Sequence, residues 1–273
     1  MKRLYLLALT LCSSLLVAQV PKLTPQEIIA KHLASIGTPE ARATLSYLEW
    51  TGAAEMRTTR GGSGEGSATL ISDGTKVKYA MKFQSQYYFG DQFVYDGKKV
   101  MISHANDGTR SPMAEMLFLQ ESILRDGIFG GVLSTAWPLY DAKLRGGKIG
   151  YDGVKKLDGR DVYQLSYHPK GSGDELTVKL LFDAENFRHL KTIYDIVVPA
   201  GMGSESSAKL APNMQGQDTV YHMTESFSDF RQLGPLTLPV HYKLVFTSDN
   251  GNAGNWMFDV DYKTVNGQKL PGE

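Results

Sequence analysis

In four separate stretches of this chain, large apolar side chains recur at every second position. Val77, Tyr79, Met81 and Phe83 alternate with Lys76, Lys78, Ala80 and Lys82; the same beat returns in Tyr163, Leu165, Tyr167, in Leu176, Val178, Leu180, Phe182, and in Trp256, Phe258, Val260, Tyr262. A helix would scatter these groups around its axis, whereas a strand sends all of them to one face. Strands wet on one side and apolar on the other belong to antiparallel sheets. Asp-Gly pairs at 73–74, 96–97, 107–108, 152–153 and 158–159 fall between the apolar runs and supply the positive φ that tight hairpins need. Hairpin spacing predicts about ten strands.

Helix signals are few. Thr24-Pro25-Gln26-Glu27 has the cap, the first-turn proline and the returning glutamate of a capping box, and predicts one amphipathic helix over 25–36 that Gly37 stops. Ser111-Pro112 opens a second helical segment carrying Met113, Met116, Leu117, Phe118, Leu119, Ile123 and Leu124, closed by Gly127; another apolar stretch runs from Ile128 to Ala136. Both are too greasy for a surface helix. Pro199 to Thr219, rich in Gly, Ser and Pro, reads as a long inserted loop.

The first residues place Lys2 and Arg3 before an apolar run from Leu4 to Val17 and small Ala18, the pattern of a secretory signal peptide over 1–18. The remainder, 19–273, is expected to be a single exported, periplasmic domain. The lone cysteine, Cys12, falls within the leader, so the mature chain must hold together without disulfides. No later stretch is long and apolar enough to span a bilayer. Basic and acidic residues balance at 29 each, so no net field gathers phosphate backbones, and nucleic acid is excluded as a partner.

Catalytic signatures are missing. The six histidines are scattered without H-E-x-x-H, no G-x-S-x-G occurs, and Ser206-x-x-Lys209 sits in the Gly/Ser/Pro loop without companion motifs. The glycines at 61, 62, 64 and 66 precede a strand, Ser67 to Ile71, where a phosphate loop needs a helix, so they read as a hairpin connection. Asp158/Asp161 and Asp259/Asp261 read as the wet face of strands. No catalytic residue, metal or cofactor is expected.

The distinctive feature is the supply of large apolar and aromatic groups. Trp50, Met56, Tyr79, Met81, Phe83, Phe93, Tyr95, Phe227, Tyr242, Phe246, Trp256 and Phe258 on strands join Met116, Phe118 and Leu119 on the greasy helix. They make either an ordinary core or the lining of a hollow that accepts an acyl chain, where each buried methylene contributes about 0.8 kcal/mol.

The order of elements, from GEGSATLISDGTKVKYAMKF through FVYDGKKVMI, KKLDGRDVYQLSYHP and LTVKLLFDAENFRHLKTIY to FSDFRQLGPLTLPVHYKL, resembles the outer-membrane lipoprotein-sorting proteins, the LolA/LolB-like group. The resemblance runs over most of residues 24–270 as a pattern. It implies a mainly antiparallel α+β fold, a half-open β-barrel with a helical cover over its concave face, and a non-enzymatic role in binding lipid acyl chains or lipoproteins in the envelope. The Arg-Pro pair that latches the cover in the carrier branch is replaced here by Ser72-Asp73, so that latch transfers to no residue of this chain. The alternative partner is an envelope protein, bound by the same fold with a filled core.

Overall fold

The computed structural model describes residues 20–59, 62–103, 110–141, 143–199, 218–266 and 268–269. The expected leader, His104, the 107–108 turn, Ser206, Lys209 and most of the 199–219 loop lie outside the described residues.

Thirteen strands are described, against the roughly ten expected. Helices α1 (Pro25–Ile36) and α2 (Pro39–Ala43) lead into β1 (Tyr47–Thr58), β2 (Gly62–Asp73), β3 (Lys76–Phe83), β4 (Gln92–Tyr95) and β5 (Val100–Ile102). Then come α3 (Pro112–Leu119), α4 (Ser122–Arg125) and three 3₁₀ turns. The second run of strands is β6 (Lys148–Leu157), β7 (Arg160–His168), β8 (Leu176–Asp183), β9 (His189–Val198), β10 (Thr219–Leu233), β11 (Leu236–Ser248) and β12 (Ala253–Val265), with short β13 (Gln268–Lys269) on β12.

All strands join one antiparallel sheet in the order β5-β4-β3-β2-β1-β12-β11-β10-β9-β8-β7-β6. The sheet is therefore two hairpin meanders, β1–β5 and β6–β12, welded where β1 pairs β12. That weld is tight: a Cβ on Gly52 would come 2.1 Å from the Asp259 carbonyl oxygen, so the position admits only hydrogen. The sheet is strongly curved. The Tyr79 ring on β3 lies 6.1 Å from the Phe258 ring on β12, with β2 and β1 between them; three strand spacings in a flat sheet would separate the backbones by about 14 Å.

The path does not close. Its ends are β5 and β6, which are also consecutive strands in the chain. Residues 112–147 must carry the chain from one free edge to the other, and they do so across the concave face. Topology thus dictates a cover, and the composition of the segment lets it lie there. Phe129 packs on Tyr79 at 5.4 Å and on Phe93 at 5.6 Å. The Thr135 amide donates to Ser72 Oγ (3.0 Å), its hydroxyl to the Gly74 carbonyl (2.9 Å), and Trp137 stacks on His189 at 4.8 Å.

Several local expectations meet the structure. Helix α1 spans the expected residues, with the Thr24/Glu27 capping box formed, worth about 1 kcal/mol. It buries Ile28, His32 and Ile36. Asp73-Gly74, Asp96-Gly97 and Asp158-Gly159 sit between paired strands. Asp152-Gly153 does not: it is a bulge inside β6, where Gly153 takes φ 93°. The glycine-rich stretch is not only a connection, since β2 begins at Gly62. Ile128 to Ala136 forms turns rather than helix, because Gly127, Gly130 and Gly131 all adopt positive φ.

Candidate binding face and its cover

The alternation that builds the strands also builds the candidate face. Trp50, Met56, Tyr79, Met81, Phe83, Phe93, Phe227, Tyr242, Phe246, Trp256 and Phe258 are all buried in one core. Their rings interlock across the curve: Trp50 on Tyr79 (5.9 Å), Tyr79 on Phe258 (6.1 Å), Phe258 on Tyr242 (5.2 Å) and Tyr242 on Phe227 (5.4 Å). At one end Tyr88 stacks on Phe83 and meets Trp256. Met116 is buried within the cover itself.

Two expected lining residues lie elsewhere, and a third sits at the margin of the core. Tyr95 is half-buried at the end of β4, beside a surface cleft. Phe118 is 41% exposed, with the Arg110 guanidinium 3.7 Å above its ring. Leu119, at the end of α3, is half-buried and packs against the core. Phe118 follows Met116 and Leu117 around a helix whose inner face is already taken, so it turns outward.

The concave face is not vacant in this conformation. Ile128, Phe129, Val132, Leu133 and Trp137 of the cover are 0–2% exposed and belong to the same core as the strand residues. Among the described residues, clefts that open elsewhere include three of note. Two of them, of about 550 and 380 Å³, share Glu55, Glu65 and Met257, which alternate outward from the ring stack. The third, of about 640 Å³, lies between the cover and the open seam of the sheet, with Thr75, Arg125, Arg145 and Lys170 among its walls.

Polar groups sealed under the cover were not anticipated from sequence. Glu225 on β10 is wholly buried. Its Oε1 accepts the Gly130 amide (2.7 Å) and the Tyr242 hydroxyl (2.6 Å), and Oε2 accepts the Tyr194 hydroxyl. Burial pushes its pKa up to about 7, against the pull of those donors. The signal was available: Tyr221, Met223, Glu225 and Phe227 share one phase of the alternation, so the carboxyl stands where an apolar group belongs. Asp91, between β3 and β4, is likewise buried; its Oδ2 accepts the Tyr88 hydroxyl (2.6 Å) and Ser111 Oγ (2.7 Å), and burial raises its pKa to about 6. No comparable phase argument marks Asp91, which lies outside a strand.

A histidine pair completes the interior. His32 on α1 faces the Phe187 carbonyl through Nδ1 (3.0 Å) and receives the Trp137 indole N–H on Nε2 (3.2 Å). Burial lowers its pKa to about 4, and that of His189, 6.0 Å away, is held well below the usual imidazole value by burial and by its neighbour. Trp50 Nε1, Trp256 Nε1, the Tyr79 hydroxyl and His189 Nδ1 are buried without hydrogen-bond partners. Each such atom costs about 1–3 kcal/mol. The histidines are thus held neutral inside an aromatic cage.

No family model matches the chain, and no curated protein matches it. Solved structures similar to it include a LolA superfamily protein from Nitrosomonas europaea, 13% identical, with 92% of this chain and 96% of that chain covered at a TM-score of 0.48. A putative outer membrane lipoprotein-sorting protein domain from Vibrio parahaemolyticus is 15% identical over 87% of this chain and 92% of that one, with a TM-score of 0.43. A DUF1329 family protein from Desulfovibrio piger is 12% identical over 86% and 90%, also at 0.43. Similarities at this level do not carry an activity to the chain; the open curved sheet and its cover stand on their own strand order and register.

Proposed function

We propose that this chain is a non-enzymatic, exported envelope protein that receives the acyl part of a lipid or lipidated partner on its concave face when the cover swings away. One observation carries the reading: the cover is laid on the sheet without being paired into it. Its polar attachments to the strands are single contacts, Ser111 to Asp91, Gly130 to Glu225, Thr135 to Ser72 and Gly74, and Leu144 to Tyr167. Further polar contacts run to the loop before β8 and to α1, from Gln120 to Glu175, from Arg125 and Asp126 to the Lys170 backbone and from Trp137 to His32; the rest of what holds the cover is apolar contact, which an acyl chain can replace in kind. About 14 methylenes would contribute about 11 kcal/mol before ordering costs, enough to exchange for part of the buried surface of 128–137. No helix among the described residues is long and apolar enough to cross a membrane. The periplasmic assignment rests on the leader pattern.

The filled interior also fits a module that binds a protein along a sheet edge. The edges themselves disfavour it. Strand β5 has three residues, and β6 carries the 152–153 bulge together with Lys148, Lys155 and Lys156, features that obstruct strand addition.

The test is lipid extraction and native mass spectrometry of protein purified from an envelope fraction, for the unaltered chain and for S72C/T135C, in which a disulfide ties the cover down. Lipid is expected with the free cover, none with the oxidised pair, and recovery after reduction. An unaltered chain that never carries lipid, yet captures one envelope protein stoichiometrically, would replace this reading with the edge-binding one.

A further inference from the structure

The seam cleft has a chemistry that the acyl-binding reading does not use. Arg125 reaches it from α4, Arg145 from the end of the cover, and Lys170 from the β7–β8 turn, with the Thr75 and Tyr95 side chains on the opposite meander. Two carboxylates also line it, but both are engaged. Asp126 accepts the Lys170 amide (2.9 Å) and pairs with Arg125 (3.6 Å), while Asp141 accepts the Lys143 amide (2.8 Å) within its own turn. Arg145 and Lys170 form no ion pair among the described residues.

Arg145 is the telling member. Its Nε is buried without a hydrogen-bond partner. Its backbone and that of Leu144 sit in the left-handed region, at φ 52° and 47°. Side chains other than glycine adopt that conformation at a cost, and such strain gathers where a side chain must be aimed. Asp141 and Asp126 lie near enough to favour the charge of this half-buried guanidinium, yet among the described residues neither forms an ion pair with it, so an unmatched N–H held by a strained turn stays available to a further anion. Cations converging from separate elements suit a tetrahedral oxyanion, whose oxygens diverge, better than a planar carboxylate, which one guanidinium fork satisfies.

We propose that the seam cleft binds a phosphate group through Arg145, Lys170 and Arg125. Resting on the acyl-binding reading, that phosphate belongs to the head of an amphiphile whose chains take the concave face. The cleft lies at the open seam, where the curved sheet's two meanders face each other across the cover. Residues 125 and 145 flank the 128–137 segment that an acyl chain would replace, so a chain held in place of that segment would present its polar head at the cleft, at the boundary with water.

The experiment is titration calorimetry of the full mature chain with inorganic phosphate, dihexanoyl phosphatidic acid and dihexanoylglycerol. Inorganic phosphate should bind saturably, weaken with added salt, and lose about tenfold or more in affinity in R145Q and in K170Q. Phosphatidic acid should bind tighter than either phosphate or the uncharged glyceride, and the glyceride should ignore both substitutions. If the glyceride binds and the phosphate group adds nothing, the cleft proposal is overturned and the acyl reading stands. If phosphate binds as expected while neither lipid gains from its chains, the cleft stands, its ligand is free phosphate, and the acyl reading falls. R145G guards against a folding artefact, because glycine accepts φ 52° without strain. It should melt no lower than the unaltered chain and still lose phosphate; a lower melting temperature with binding intact would make Arg145 merely structural and overturn the assignment.

Discussion

Two buried carboxyls hold the cover, and they are built differently. Glu225 stands in mid-sheet on β10 and is met from three sides, by two tyrosine hydroxyls and the Gly130 amide. Asp91 stands near the short-strand edge and is met by one tyrosine and by Ser111, the N-cap of α3, while its Oδ1 has no partner. Both are pushed toward the neutral acid, so desolvation outweighs hydrogen bonding even where three donors converge. The arrangement at Glu225 tolerates a proton on Oε2, since the Tyr194 hydroxyl can rotate to accept it. The Gly130 amide cannot turn, but it donates to the other oxygen. The hold on the cover therefore survives protonation. At Asp91 both contacts are rotatable hydroxyls sharing one oxygen, a looser grip.

The largest effect should come from emptying the tighter site. Glu225→Ala leaves a fixed amide and two hydroxyls buried without an acceptor and should cost about 3–5 kcal/mol. Asp91→Ala also removes an oxygen that is already unpartnered, so about 1–2 kcal/mol is expected. Urea denaturation of both variants checks the order. Equal losses would break the distinction between a central and a peripheral hold.

The pH dependence sharpens it. Glu225 is raised from 4.5 to about 7 and Asp91 from 3.8 to about 6. The stability each contributes is therefore fully present below its unfolded pKa and is lost as pH rises through the folded one. His32 is lowered from 6.5 to about 4, so its contribution is present above 6.5 and lost as pH falls through about 4. The windows overlap with opposite sign, and the unaltered chain should show a shallow profile between them. Glu225→Gln, a neutral mimic, should gain on the unaltered chain as pH rises from 5 to 8, by up to about 3 kcal/mol. His32→Phe should gain as pH falls from 6.5 to 4. A Glu225→Gln difference that stays constant with pH would mean that the carboxyl is ionised throughout.

How much of this was legible in the sequence follows the same divide between one-sided and all-round burial. β3, β7, β8 and β12 declared themselves because one face is wet and the other dry, which leaves a period of two in the residues. Helix α1 declared itself through a cap that acts locally. The cover did not, because it is buried on nearly every side: an apolar run without a polar phase has no period to read, and Ile128 to Ala136 looked like helix until three positive-φ glycines turned it. Asp152-Gly153 misled for a related reason, since a bulge and a hairpin ask the same backbone angle of glycine. Whether the hollow is empty depends on where residues 112–147 lie, and that was fixed by the two free edges being chain neighbours. Strand order across the whole sheet decides that, and no local pattern reports it.

A smaller effect tests the peripheral hold from the other side. Ser111 caps α3 through the Ala114 amide (3.0 Å) and touches Asp91 at the same time. Ser111→Ala should cost about 1 kcal/mol. In an Asp91→Ala background the cap bond persists, so the same substitution should cost slightly less there, and an undiminished cost would separate the cap from the carboxyl altogether.

The smallest expected effect concerns whether the cover moves as one piece. Gly127, Gly130 and Gly131 break it between the helical part that Asp91 holds and the turns that follow, and Glu225 grips the break itself at Gly130. Two bodies joined at a flexible point should respond independently. The Glu225→Ala/Asp91→Ala double variant is then expected to be additive within about 0.5 kcal/mol. Hydrogen exchange should quicken at the Gly130 amide in Glu225→Ala while the Ala114 amide, bonded to Ser111 Oγ, stays as slow as before. A coupling above about 1 kcal/mol, with both amides quickening together, would show a rigid cover that opens whole. An acyl chain would then have to displace every apolar contact from 112 to 137 at once rather than enter past the glycine break.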